Sequence, residues 1–253
     1  MKKKLIILFA GLFISVQICF SLSVDNNIFT EIRKEGFNFF EPHNSGYVSA
    51  EKDNKEYIFF VKNPRNPQSE YKIIANSDEY NAFSFVSDYM FVSKKNKKGV
   101  FYKGQKIFEP VFDNIEYIKD RYVSVKQNGK YALLHEDKQI TKPIYESVKY
   151  FGYDYSAGIS GHKYTLYYKN EKISDEPFDG INIQKGYAVT LKNGKYSVYK
   201  ETGLILKPDY YEFSDFDSHG ILYKKTGKYG IISYDGTELI PPLYDEIKKT
   251  AQK

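Results

Sequence analysis

The chain has 253 residues, with 37 Lys and Arg against 32 Asp and Glu, a formal net charge of +5. Three of those positive charges, Lys2, Lys3 and Lys4, lie in a leader expected to be removed. The rest is then near +2, too balanced for a nucleic-acid-binding protein. The one cysteine, Cys19, falls in the same leader, so the remainder has no disulfide, thiolate metal site or cysteine nucleophile.

The leader, residues 1–23, reads as a secretory signal peptide. The lysines are followed by a twelve-residue apolar run, LIILFAGLFISV, and then by the small residues Ser21 and Ser23, with cleavage expected after Ser23. The apolar run is too short for a membrane span, and no later stretch is apolar enough to be one. Export to the periplasm or beyond follows, with one alternative. Cleavage before Cys19 would make a membrane-anchored lipoprotein, although Ile18 is bulky where such signals carry a small residue. That lipid is the only membrane contact expected.

Residues 24–45 form an N-terminal segment. Its FTEI, from Phe29, matches YDEI at Tyr244, as if a partial first repeat opened the array in the strand phase that closes it. The unit from Gly46, GYVSAEKDNKEYIFFVKN, resembles GYAVTLKNGKYSVYKETG from Gly186. Its link to the next aromatic is stretched by NPRNPQ, Asn63 to Gln68. Insertions in repeat proteins map to surface loops and often to the binding face, which makes Pro64, Arg65 and Pro67 candidate binding residues.

From there the chain repeats with a step near 33. One anchor runs Lys98, Tyr131, Tyr164, Tyr196, Tyr229, at spacings of 33, 33, 32 and 33. A second runs Tyr80, Phe112, Tyr145, Phe178, Tyr210, Tyr244, usually just after a proline (Pro110, Pro143, Pro177, Pro208, Pro242). A hydrophobic residue comes three positions later: Phe83, Ile115, Val148, Ile181, Phe213, Ile247. Within a unit, YAVTL from Tyr187 and KYSVY from Lys195 alternate around Asn193–Gly194. That is the strongest short-range hairpin signal, and it recurs at Asn128–Gly129 and as Thr226–Gly227. A second turn at Thr202–Gly203 or Asp235–Gly236 leads into a third strand stopped by proline. YDEI and the few residues after it form a fourth short strand or a connector. Helical repeats share this period, but turn signals every six to eight residues leave no room for helix pairs. With 25 Tyr and 19 Phe, the composition also favours strands. The expected fold is all-β: about six tandem antiparallel units over residues 46–249 and a tail at 250–253. They form a propeller-like ring, an open arc or a β-solenoid, and the matching end phases lean towards closure.

The GKYG step at Gly227, a turn glycine, then proline and YDEI resemble the WG (KWG) repeat of bacterial proteins. The resemblance covers roughly residues 46–249 and is clearest from residue 121. The family's Trp is always replaced here, and only Tyr229–Gly230 keeps an aromatic-glycine pair. Ala132, Thr165 and Ser197 stand after the other tyrosines. The resemblance implies a β-repeat array and no shared catalytic residues.

Motifs for chemistry are weak. DFDSHG, Asp215 to Gly220, opens like a calcium loop but has His219 at the fifth position and Thr226 where the closing acid belongs. His135–Glu136–Asp137 falls on a turn, where charged residues are solvated. The other histidines, His43, His162 and His219, sit at different repeat phases, and no serine-hydrolase or phosphate-loop motif is present. No catalytic, metal or cofactor residue is expected. Tyr131, Tyr164, Tyr196 and Tyr229 remain: recurrence at one phase suits core packing, and an exposed ladder would grip a partner. The expected function is an exported, non-enzymatic binding module with a protein partner. The alternatives are an envelope polysaccharide or peptidoglycan ligand, and an enzyme with a loop-built site.

Overall fold

The computed structural model describes residues 27–64, 66, 69–210, 212–216 and 220–248. The leader with Cys19, and Arg65 and Pro67 of the insertion, lie outside these residues, as do Asp217 to His219 of the calcium-like motif. The fold is all-β. Six four-stranded antiparallel sheets succeed one another along the chain, over residues 38–76, 82–112, 114–139, 147–172, 180–210 and 212–244. Each is a meander with its strands in chain order.

The fifth sheet shows how the pattern folds. Its strands are Gly180–Gln184, Tyr187–Lys192, Lys195–Lys200 and Gly203–Tyr210. Asn193 and Gly194 both have positive φ, 51° and 73°, the conformation a two-residue hairpin needs to match strand twist. All six sheets use such a turn between second and third strands, including the less legible Asp53–Asn54, Lys95–Asn96 and Gly161–His162. The segment expected to be a fourth strand or a connector is divided between two sheets. Tyr244 ends the fourth strand of its sheet, whereas Ile181 lies in the first strand of the next.

Both anchors now have a cause. The aromatic of the second lies directly opposite the residue of the first: Phe112 faces Lys98, Tyr145 faces Tyr131, Phe178 faces Tyr164, Tyr210 faces Tyr196 and Tyr244 faces Tyr229. The period therefore records one cross-strand pair per unit, the element of sheet stabilisation. The third position, Ile115, Val148 or Ile181, belongs to the first strand, and Ile115 and Ile181 pack back on the preceding sheet.

Second strands are buried on both faces at Tyr89–Val92, Tyr122–Val125, Tyr155–Gly158 and Tyr187–Thr190. Alternation sends Val123, Val125, Ala132 and Leu134 back into a core shared with Tyr89, Phe91, Val100 and Tyr102 of the second sheet. Tyr122, Leu133 and His135 face forward. The core is thus a series of inter-sheet layers, as in a stacked repeat protein.

Tyrosines at the start of second strands lock the layers together. The Tyr89 hydroxyl donates to the carbonyls of Arg121 (2.7 Å) and Glu136 (3.0 Å) in the third sheet. Tyr122 donates to Asp154 O (2.8 Å) in the fourth, and Tyr47 donates to Asp88 O (3.2 Å) and accepts from Gly104 N–H (3.0 Å) in the second. Tyr155 reaches Gly186 O and Glu201 O at 3.4 Å. Burial pushes these phenols up, Tyr155 to about 12. Two of the aspartates that follow a second anchor tie hairpin tips together. Asp113 takes an ion pair from Lys97 of its own sheet and accepts from Asn128 N–H of the next (2.7 Å); Asp179 does the same with Lys163 and Asn193 N–H (2.8 Å).

The array is open, not a ring. Residues expected to start in strand phase form a helix, α1 (Asn27–Lys34), whose Ile28 and Ile32 cover the outer face of the first sheet at Val48, Ala50, Phe59 and Val61. Ile28 and Ile32 are one helical turn apart, Arg33 and Lys34 suit the C-terminal end of the dipole, and Gly36 at φ +92° stops the helix. FTEI lacks the prolines that precede YDEI, so nothing bars it from the helix. No helix among the described residues is long and apolar enough to cross a membrane.

Candidate functional site

Tyr131, Tyr164, Tyr196 and Tyr229 are half-buried and project forward, the first three into successive inter-sheet layers and Tyr229 onto the outer face of the sixth sheet. Lys126 Nζ lies 5.2 Å from the Tyr131 ring and Lys224 Nζ lies 4.8 Å from the Tyr229 ring, within cation–π range. Tyr164 packs into the core between the fourth and fifth sheets. Pro64 of the insertion lies beside Gly46, well away from these rings.

Tyr196 lines a cleft. The space, about 290 Å³, opens between the fifth and sixth sheets and is lined by Gly180, Asn182, Gln184, Leu191, Tyr196 and Phe213, with Ile181 and Val189. The first strand of the fifth sheet sets Gly180 opposite Leu191, Asn182 opposite Val189 and Gln184 opposite Tyr187, so two carboxamides and a missing side chain share the forward face. Phe213 meets Tyr196 edge-on, with ring centroids 5.8 Å apart. Among the described residues the lining has apolar rings, methyls and carboxamides, and no carboxylate, imidazole or ammonium group. It can stack and hydrogen-bond a neutral group. Tyr196 was legible by its phase. Gly180, Asn182, Gln184 and Phe213 were not singled out for binding, because the cleft exists only where two sheets meet.

The His135–Glu136–Asp137 segment is a turn only in part. Glu136 takes positive φ (57°), but His135 ends a strand and is buried. Its ring stacks on Tyr122 with centroids 4.3 Å apart, and Nδ1 is 3.3 Å from Asn170 Oδ1. Burial lowers its pKa, against a smaller opposing pull from Glu136. His43, stacked on Phe85 at 3.8 Å, is lowered by burial too. The unfolded chain then binds protons that the folded chain refuses, so stability is full above the ordinary value of 6.5 and declines as pH falls below it. Thermal melts across that value should show the midpoint dropping on the acid side, with a shallower drop in His135→Gln. A flat profile would remove the desolvation account. Among the described residues no group of three or more His, Cys, Asp or Glu is placed to hold a metal.

Comparison with known proteins places the repeat. Residues 102–131 and 229–249 match the WG containing repeat, so WG-type repeats stand at two regions of the chain. No curated protein sequence matches. Among solved structures, PorZ of Porphyromonas gingivalis, described as an essential bacterial surface component of the type-IX secretion system, is 10% identical with a TM-score of 0.26. The similarity covers 80% of this chain and 32% of that one, so the chain spans about a third of PorZ. Hsv2 of Kluyveromyces lactis is 10% identical with a TM-score of 0.25 over 78% of this chain and 73% of its own.

Proposed function

We propose that this chain of WG-type repeats is an exported, non-enzymatic interaction module that holds a partner protein through the cleft beside Tyr196. One observation carries the proposal. Most recurrent aromatics are spent on cross-strand pairs and inter-sheet layers, while Tyr196 and Phe213 border open volume together with Asn182 and Gln184. An apolar side chain flanked by backbone amides fits such a lining, since rings take the side chain and carboxamides take the amides. The leader supports an envelope or extracellular setting.

The same ring-and-carboxamide lining suits a pyranose, which gives a glycan reading its single supporting observation. One capture experiment separates the two. Residues 24–253 are immobilised, envelope extract is passed over, and bound proteins and glycans are identified by mass spectrometry. A protein retained by the natural chain and lost from both Tyr196→Ala and Gly180→Leu is the expected result. Gly180→Leu fills the cleft at little structural cost, because a Cβ there meets only Leu191, at 3.6 Å. Glycan without protein, lost in the same variants, supports the sugar reading. Retention unchanged in both variants removes the cleft from the function.

A further inference from the structure

The two ends of the array present matching halves of one interface. The first sheet turns Val48, Ala50 and Phe59 towards α1. At the same positions the third sheet turns Val123, Val125 and Leu134 towards the second. Helix α1 therefore occupies the place of a preceding sheet. At the other end, Leu222 and Ile231 alternate with Ile221, Tyr223 and Ile232, which pack on the fifth sheet, so they face outward with Ile240 opposite Ile231. Their counterparts in the fifth sheet, Val189, Val198 and Leu206, are all buried by the sixth.

Two further observations mark the outer face of the sixth sheet as built for a cover. Tyr244 is 51% exposed, whereas Tyr145 and Phe178 at the same position are 7% and 2% exposed beneath the next sheet. Asp245 keeps the ion pair to Lys228 (2.5 Å). Its second oxygen, however, makes no bond to a following hairpin like those of Asp113 and Asp179 among the described residues.

We propose that the occupant of this face is the first sheet of a second copy, and that α1 is the latch that keeps the chain monomeric by covering that sheet. Continuity with the five internal interfaces sets the chemistry of the occupant: a four-stranded sheet offering small and branched apolar side chains. A second copy has such a face, covered among the described residues by α1 and by Phe37 just after it. The helix is eight residues long, too short to persist without its packing, so undocking it together with Phe37 uncovers the face. The resulting contact is head-to-tail and does not close, so assembly continues by addition of further copies.

Sedimentation velocity over a concentration series tests this on the full chain. The natural protein is expected to stay monomeric. A variant carrying Ile28→Asp and Ile32→Asp is expected to gain mass steadily with concentration, through dimer to larger species. Adding Ile231→Lys to that variant should return it to monomer. A latch variant that keeps its β circular-dichroism signal and remains monomeric overturns the proposal. So does growth that Ile231→Lys leaves intact, which is nonspecific aggregation, or a natural chain that already polymerises. If the paired aspartates unfold the first sheet, Ile32→Ala in place of them carries the same two readings.

Discussion

Tyr122→Ala is expected to lower unfolding free energy by about 3–5 kcal/mol, the range for truncating a large buried aromatic. The ring is fully buried, stacks on His135 at 4.3 Å and on Tyr150 at 4.5 Å, and its hydroxyl bonds the Asp154 carbonyl. Removing it opens a cavity in the layer between third and fourth sheets and cuts the link between them. Tyr122→Phe separates the two effects. It keeps the packing and removes the bond to Asp154, leaving a carbonyl to be satisfied otherwise, so the loss should be roughly 1–3 kcal/mol. Urea unfolding of both variants checks the ordering. Equal losses would mean that the hydroxyl, not the ring, carries the contribution.

Gly230→Val should cost at least the roughly 1–3 kcal/mol typical of overpacking, because the obstruction is backbone. Gly230 comes directly after Tyr229 in the one aromatic-glycine pair the chain retains. A Cβ there would lie 2.6 Å from the Ile240 carbonyl oxygen and 2.8 Å from the Tyr223 ring. The pairing register shifts between Tyr229 and Ile231, so the fourth strand leans over the glycine at a bulge. Gly99 is crowded the same way by Phe108 O at 2.8 Å, also beside a register shift. Gly180→Val serves as control, since its Cβ meets only an ordinary contact. If thermal melts show the two valine variants equally stable, the crowding at Gly230 is not what requires glycine.

How much of the fold was legible depends on which contacts are local. The hairpins could be read from Asn193–Gly194 and Asn128–Gly129 because turn conformation is fixed by the two residues in the turn. Both anchors could be read because Tyr131 and Tyr145 pair within one unit. The tyrosines that lock the layers had a signal too: Tyr89, Tyr122 and Tyr155 recur at 33 and 33 residues. Their hydroxyl partners lie in the next unit, however, so spacing alone does not distinguish a locking tyrosine from a core ring. Openness was hidden because FTEI and YDEI share a pattern while one forms a helix and the other comes after prolines. The cleft was hidden because it depends on Gly180 and on how far Phe213 stands from it.

A chain whose sheets touch only their immediate neighbours is loaded in series when its ends are pulled apart. Every layer bears the same tension, and no closing contact shares it. The weakest layer then sets the yield point of the whole molecule. The sixth sheet has a single described neighbour, and the cleft lies in that one layer. Open volume there leaves fewer packed atoms across the layer, so the element bordering the cleft is where the array is expected to yield first.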